Sequence, residues 1–307
     1  MIVRGTTQLL GVIGYPVKHS FSPLMHNAAI AHLQKNTTEQ NANLDFVYLP
    51  FPIHSDKLSD AISGFSAIGV KGFNITIPHK QAIIPLLDEV TDVAQAIGAV
   101  NTVWRSEEGG QTRWHGTNTD AAGFIAPLKT LDKDWSNVPA LILGNGGAAR
   151  AIVAACVELG CSEVWVCGRS RQKLSDFADS WKKSSISKRL SVLETKELDK
   201  RLPQAGLVVN ATPVGMHPNV KASPLSLEQI QQIGQSLPKA APKVAYDLIY
   251  TPRPTQFLQY AQDVGLVAID GLEMLVQQGA MALEIWIGQP APVNVMRKSL
   301  LDYLGEN

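Results

Sequence analysis

The chain has 307 residues, 45% of them hydrophobic, and its 27 basic residues balance its 27 acidic ones. That length admits two domains, and a formal charge of zero removes any electrostatic argument for nucleic acid or an anionic membrane as a partner. No apolar run reaches the roughly 18 residues that a membrane helix needs. Residues 1–7 lack a signal peptide's apolar stretch, so the expected compartment is the cytoplasm and the expected partners are small molecules.

Apolar runs alternate with helical patterns along the chain, the mark of an α/β fold with largely parallel sheets. Strands are predicted over residues 9–13, 46–51, 70–77, 99–104, 140–143, 163–167, 207–210, 244–248 and 266–269. Polar, turn-rich stretches fall at 35–43, 106–111 and 129–137. The last of these reads as a domain boundary, because a strand with a glycine-rich turn follows it. A long final helix over 272–287 comes after the last strand and is free to pack back on the first domain. Cys156, Cys161 and Cys167 are odd in number and lack the close pairs of a zinc site; they read as structural thiols, and no metal is expected.

The first motif runs from Gly14 to Asn27. Ser20 and Ser22 stand in a turn between a strand and a helix predicted to begin at Pro23, a good first helical residue. Two hydroxyls beside a helix N-terminus can grip a small anion; the plainer alternative is a capped turn.

Further on, Asn74, Thr76, Pro78, His79 and Lys80 lead from a strand into a predicted helix. Lys80 in its first turn would sit at the positive end of the helix dipole, which disfavours the ammonium and suits proton exchange. Asn101 and Asp120 follow within polar turns; a turn residue and a helix N-cap are the local alternatives. His19, His26, His79 and His115 show no obvious partner and rank below Lys80.

The strand over 140–143 leads into Gly144, Asn145, Gly146, Gly147, Ala148 and Ala149 and then a helix-forming run. This is G-x-G-x-x-A between a strand and a helix, a dinucleotide-binding pattern. The end of the next strand carries no acid for a ribose. Its sequence, Gly168, Arg169, Ser170, Arg171, Gln172 and Lys173, suits a 2′-phosphate through the Arg169 guanidinium, with Arg171 or Lys173 adding charge. The expected cofactor is therefore NADP, against the alternative of a solvated basic turn.

These segments, with Gly98 to Thr102, Asn118 to Asp120, Asn210 to Met216, Asp247 to Pro252 and Gly271 to Gln278, resemble in order the shikimate dehydrogenase family, which includes quinate/shikimate dehydrogenases. The resemblance implies an α/β chain with an N-terminal substrate domain over 1–120, a Rossmann-like NADP domain over 121–271, a cleft between them, and residues 272–307 returning to the first domain. It implies reversible, NADP-dependent reduction of 3-dehydroshikimate to shikimate in chorismate and aromatic amino acid biosynthesis. By match, Lys80 is the acid/base and Asp120 its partner. Ser20, Ser22, Thr76, Asn101, Tyr250 and Gln278 hold substrate. The cofactor set is Asp92, Gly144, Asn145, Gly146, Gly147, Ala148, Gly168, Arg169, Ser170, Arg171, Lys173, Thr212, Leu248 and Gly271.

Gly168 and Lys173 stand where many relatives have Asn and Arg, and the loop over 34–43 is long for the family. Competing readings are quinate preference or NAD use, and a metabolite sensor that has lost the chemistry. A methylene-tetrahydrofolate type of dehydrogenase would leave Ser20 and Ser22 without a task. The chain is expected to act as a monomer or homodimer.

Overall fold

The computed structural model describes residues 3–36, 44–235 and 243–305; the 37–43 part of the long loop lies outside the described residues. The chain divides into two compact units, Met1–Asp120 with Val276–Asn307, and Ala121–Leu275. The division falls at the start of the helix that Asp120 opens and not in the 129–137 stretch.

The first unit begins β1 (Gln8–Gly14), α1 (Ser22–Lys35), β2 (Phe46–Pro52), α2 (Leu58–Ala67), β3 (Gly72–Ile75), β4 (Glu89–Val90), α3 (Asp92–Ile97), β5 (Thr102–Glu108) and β6 (Gln111–Thr117). Its sheet runs β2-β1-β3-β5-β6-β4, parallel on one side and antiparallel across β3-β5-β6. The polar 106–111 stretch, expected as a turn, is mostly strand. Only Gly109 and Gly110, with φ of 60° and 80°, make the turn; two successive positive φ values are what a tight hairpin of this kind requires. β6 escapes prediction because Trp114 is its one large apolar residue, and its place comes from pairing with β5. Phe65, Phe73 and Trp114 stack edge-on in the core beneath, among Ile13, Ile62 and Val103.

The second unit carries α4 (Asp120–Lys129, whose first residue belongs to the first unit), β7 (Ala140–Leu143), α5 (Gly147–Glu158), β8 (Val164–Gly168), α6 (Arg171–Asp179), β9 (Leu190–Glu194), α7 (Leu198–Arg201), β10 (Leu207–Asn210), α8 (Leu227–Gln235), β11 (Val244–Asp247), α9 (Gln256–Asp263) and β12 (Val267–Ile269). All its strands pair in parallel, in the order β12-β11-β10-β7-β8-β9. This is the doubly wound dinucleotide-binding order, with its switch point between β7 and β10. The inner strands are continuous apolar runs, as expected when helices cover both faces. α10 (Leu272–Ile287) spans the division between the units, and α11 (Val293–Leu304) ends at Gly305 in a left-handed cap.

Candidate active site

In the first unit Asp120 and Gln278 meet at Asn101, and Lys80 meets Asp120. Residues 99–101, expected as strand, are a connection. Gly98 ends α3 with φ of 68°, the Val100 N–H bonds the Lys80 carbonyl at 2.8 Å, and the Asn101 N–H bonds the Thr117 carbonyl at 3.1 Å. The segment is thereby pinned between the Lys80 turn and β6, which puts the Asn101 side chain in the interior at 2% exposure.

The helix expected from Pro78 is absent, and β3 stops at Ile75. Pro85 has no N–H for the Gln81 carbonyl, and the Lys80 carbonyl is already taken by Val100. The segment is a run of turns ending in a short tight helix over Ile84–Leu86. Lys80 therefore does not stand in the first turn of a helix of its own, and the dipole argument drawn from that helix does not apply. Its ammonium instead donates to Asp120 Oδ2 at 2.5 Å, the two side chains being 14% and 7% exposed.

Asp120 opens α4 without capping it. Asn118 Oδ1 takes the Asp120 N–H at 3.0 Å, which leaves both carboxylate oxygens for side chains. Oδ1 accepts from Asn101 Nδ2 at 2.8 Å. The same amide nitrogen reaches Gln278 Oε1 at 3.3 Å, and Thr119 Oγ1 donates to the Gln278 carbonyl at 3.0 Å. A buried ion pair is tolerable only when its remaining lone pairs are satisfied, and Asn101 does that here.

Ser20 and Ser22 stand together, the Ser22 N–H donating to Ser20 Oγ at 3.3 Å. α1 begins at Ser22, one residue ahead of Pro23, and no side chain caps it. Thr76 folds over Gly14, where an added Cβ would lie 2.4 Å from Thr76 Cγ2. His79 is a satisfied core histidine, bonded to the Ile53 carbonyl at 2.7 Å, and His115 bonds Ser106 and Glu89.

In the second unit the cofactor candidates line the C-terminal edge of the sheet. Gly144 has φ of 106°, and a Cβ on it would stand 3.0 Å from both the Ala211 carbonyl oxygen and Thr212 Cγ2. Gly144 and Thr212 therefore face each other across the switch point. The Asn145 side chain lies over Gly168, where an added Cβ would meet Asn145 Oδ1 at 3.2 Å. Nothing stands within 4 Å of a Cβ on Gly146, and α5 starts there with no side-chain cap. That opening and those orphan N–H groups fit a dinucleotide pyrophosphate. Leu248 and Gly271 touch backbone to backbone: a Cβ at Gly271 would fall 2.1 Å from the Leu248 carbonyl oxygen.

The side chains of Arg169 and Lys173 are exposed and have no ion-pair or hydrogen-bond partner among the described residues. Arg171 turns to Glu194 at 3.5 Å, and Ser170 caps α6. Asp92 opens α3 in the first unit, exposed and apart in sequence from the rest of that set. Tyr250, in the second unit, follows β11 and is half-buried.

Sequence reasoning missed what fixes the loops after β10 and β11. Asp247 Oδ1 accepts from Asn210 Nδ2 and from the Ile249 N–H, both at 3.0 Å, while Oδ2 accepts from Thr255 Oγ1 at 2.7 Å. Asn210 Oδ1 in turn holds Thr212 through its N–H at 3.0 Å and its hydroxyl at 2.7 Å. Burial raises the Asp247 carboxyl from 3.8 to about 6, against the hydrogen bonds that lower it.

Comparison with known proteins bears on the whole length. A family model for the shikimate dehydrogenase substrate binding domain matches residues 12–103, one for shikimate/quinate 5-dehydrogenase matches 128–274, and one for the shikimate 5′-dehydrogenase C-terminal domain matches 271–301. A shikimate dehydrogenase (NADP(+)) of Nostoc sp. strain PCC 7120 is 56% identical over 306 residues, covering 99% of each chain. The chain belongs to the shikimate dehydrogenase family.

Solved members agree in fold. Shikimate dehydrogenase from Aquifex aeolicus superposes with a TM-score of 0.80 at 36% identity, covering 97% of this chain and 99% of that one. Shikimate 5-dehydrogenase from Thermus thermophilus, solved with NADP(H) and shikimate, gives 0.77 at 35% identity over 95% and 98%. Among the described residues no helix is long and apolar enough to cross a membrane, and no cluster of His, Cys, Asp and Glu could hold a metal ion. The cysteines are buried and free.

Proposed function

We propose that this chain is an NADP-dependent shikimate dehydrogenase that reversibly reduces 3-dehydroshikimate to shikimate, within chorismate and aromatic amino acid biosynthesis. The observation that carries the reading is the buried Lys80–Asp120 pair, 2.5 Å apart and braced by Asn101. A ketone reduction needs a proton donor held at the carbonyl oxygen, and the Lys80 ammonium is such a donor. Asp120 fixes the direction of that N–H and accepts from the hydroxyl that forms. In the reverse direction the Lys80 amine takes the hydroxyl proton.

Ser20 and Ser22 hold the substrate carboxylate, and Thr76, Asn101, Tyr250 and Gln278 hold its hydroxyls and carboxylate. Bound NADPH supplies the hydride. The backbone of Gly144, Asn145, Gly146, Gly147 and Ala148 cradles its pyrophosphate, Arg169 takes the 2′-phosphate with Lys173 and Arg171 adding charge, and Ser170, Thr212, Leu248, Gly271 and Asp92 complete its surroundings. The enzyme works in the cytoplasm, as a monomer or a homodimer.

The test is four mixtures: purified protein with shikimate or quinate, each with NADP or NAD, followed by nicotinamide absorbance. Activity chiefly with shikimate and NADP is expected. Activity chiefly with quinate or NAD overturns the substrate or cofactor assignment, and no activity in any mixture leaves the sensor reading.

A further inference from the structure

Asn210 and Asp247 are the last residues of β10 and β11, stand opposite each other in register, and are both 0% exposed. Neither side chain can therefore touch a bound dinucleotide, and any part they play in binding is exerted through the loops they hold.

Two backbone groups fix the Asn210 amide. The Val214 carbonyl, which can only accept, takes Nδ2–H at 3.1 Å, and the Thr212 N–H, which can only donate, goes to Oδ1 at 3.0 Å. Oδ1 offers lone pairs alone, so the Thr212 hydroxyl, 2.7 Å away, donates to it. The Thr212 oxygen in turn accepts the Val214 N–H at 3.2 Å. The hydroxyl is thus committed within the turn, and the other branch of the side chain, Cγ2, is the part that lies toward Gly144.

Asp247 ties this turn to the next. Its Oδ1 takes an Asn210 N–H and the Ile249 N–H, and its Oδ2 takes the hydroxyl of Thr255, whose oxygen caps α9. The Leu248 N–H donates to the Asn210 carbonyl at 3.1 Å, and the Gly271 N–H donates to the Ile249 carbonyl at 3.1 Å. The segments that carry Thr212, Leu248 and Gly271 therefore hang on one amide and one carboxylate, Gly271 by way of Ile249.

These segments lie on one side of the switch point. β8, which leads to Arg169, lies on the other side, beyond β7. In a doubly wound sheet each half takes one mononucleotide, so the 2′-phosphate end of the cofactor belongs with β8 and the nicotinamide end with β10 and β11.

We propose that Asn210 and Asp247 are positioning residues that set the nicotinamide half of the cofactor site independently of the adenosine half. The proposal rests on the reading above, in which the chain binds NADP. It assigns the Thr212 hydroxyl to the turn, leaving Cγ2 and the backbone of Thr212 to meet the cofactor.

The experiment is calorimetric binding of two probes, NADP and adenosine 2′,5′-bisphosphate, which has the 2′-phosphate and no nicotinamide, with thermal unfolding of each variant. Asn210→Ala removes the hydrogen bonds of the amide. It is expected to raise Kd for NADP about 10-fold while Kd for the bisphosphate stays within about two-fold. Asp247→Ala carries the same expectation. In Asp247→Asn, Oδ1 still accepts both N–H groups and Nδ2 donates to the Thr255 oxygen, so NADP binding is expected to return to within about two-fold of wild type. Thr212→Val keeps Cγ2 and removes only the hydroxyl of a half-buried residue; it is expected to weaken NADP binding alone, even should the two alanine variants fail to fold, and to add nothing further to Asn210→Ala. Arg169→Ala, on the other half, weakens both probes.

A general packing defect would weaken both probes together. Equal loss of both probes in the Asn210, Asp247 and Thr212 variants, or unchanged NADP affinity in them, overturns the proposal and leaves the cofactor reading intact. Effects of Thr212→Val and Asn210→Ala that multiply would place the hydroxyl on the cofactor and overturn it as well. A wild type that binds neither probe removes the reading and the proposal together.

Discussion

Lys80 and Asp120 are forty positions apart in sequence, yet Nζ and Oδ2 stand 2.5 Å apart, and the other carboxylate oxygen is held by Asn101. The pair is nearly closed to water, and each side chain depends on the other for its aim. Catalysis by a positioned proton donor needs that geometry more than it needs any particular helix.

Asp120→Asn keeps the shape of the pair and removes its charge. The amide cannot accept at both positions, so one of the bonds from Lys80 and Asn101 becomes a donor facing a donor. Turnover of shikimate is expected to fall by roughly two orders of magnitude, with KM for NADP unaffected. Stopped-flow or steady-state nicotinamide absorbance reads both; a kcat within a few-fold of wild type would take Asp120 out of the chemistry.

Arg169 is exposed and has no partner among the described residues, while its neighbour Arg171 is engaged with Glu194. Arg169→Ala is expected to raise KM for NADP by about 10-fold or more, the usual worth of a charge-assisted hydrogen bond, and to leave the weaker use of NAD as it was. Equal loss with both cofactors would mean that the side chain supports the loop and does not read the phosphate.

Burial lowers His26 from 6.5 to about 3, and neither ring nitrogen has a hydrogen-bond partner among the described residues. Between those values the unfolded chain binds a proton that the folded chain refuses, so stability is full above about 6.5 and is lost as pH falls toward 3. The expected loss by about pH 4.5 is of the order of 3 kcal/mol. His26→Phe keeps a ring against Tyr48 and should flatten that acid slope in denaturant titrations run at several pH values. An undiminished slope would place the acid sensitivity elsewhere.

Asp247 acts in the opposite sense. Its carboxyl is raised from 3.8 to about 6, so the folded state holds the extra proton in that window, and stability rises as pH falls from about 6 to about 4. Above pH 6 the ionised group costs about 3 kcal/mol. Asp247→Asn should remove this component, visible as a stability curve that falls more steeply than wild type on acidification. Identical curves would show that Asp247 titrates normally.

The glycine loop is legible in the sequence because its neighbours along the chain, a buried strand and an alanine-rich helix, are also its neighbours in space. Lys80 and Asp120 are legible as residue types at family positions, while their setting is not. A helix after Pro78 is stopped by Pro85, and the competition for the Lys80 carbonyl comes from Val100, which local sequence cannot reveal. β6 stays hidden because one tryptophan among polar residues carries no period, and the hairpin signal of Gly109 and Gly110 sits in a polar stretch with the composition of a loop. Asn210 and Asp247 read locally as strand residues, and only the register of β10 against β11 sets their side chains together.

The most direct measurement is steady-state oxidation of shikimate with NADP by wild type and Lys80→Ala side by side, with shikimate affinity measured separately and thermal unfolding as a check on folding. The predicted result is a folded variant that binds shikimate within a few-fold of wild type and turns it over roughly 10²–10⁴-fold more slowly. A folded Lys80→Ala protein with wild-type turnover would contradict the account.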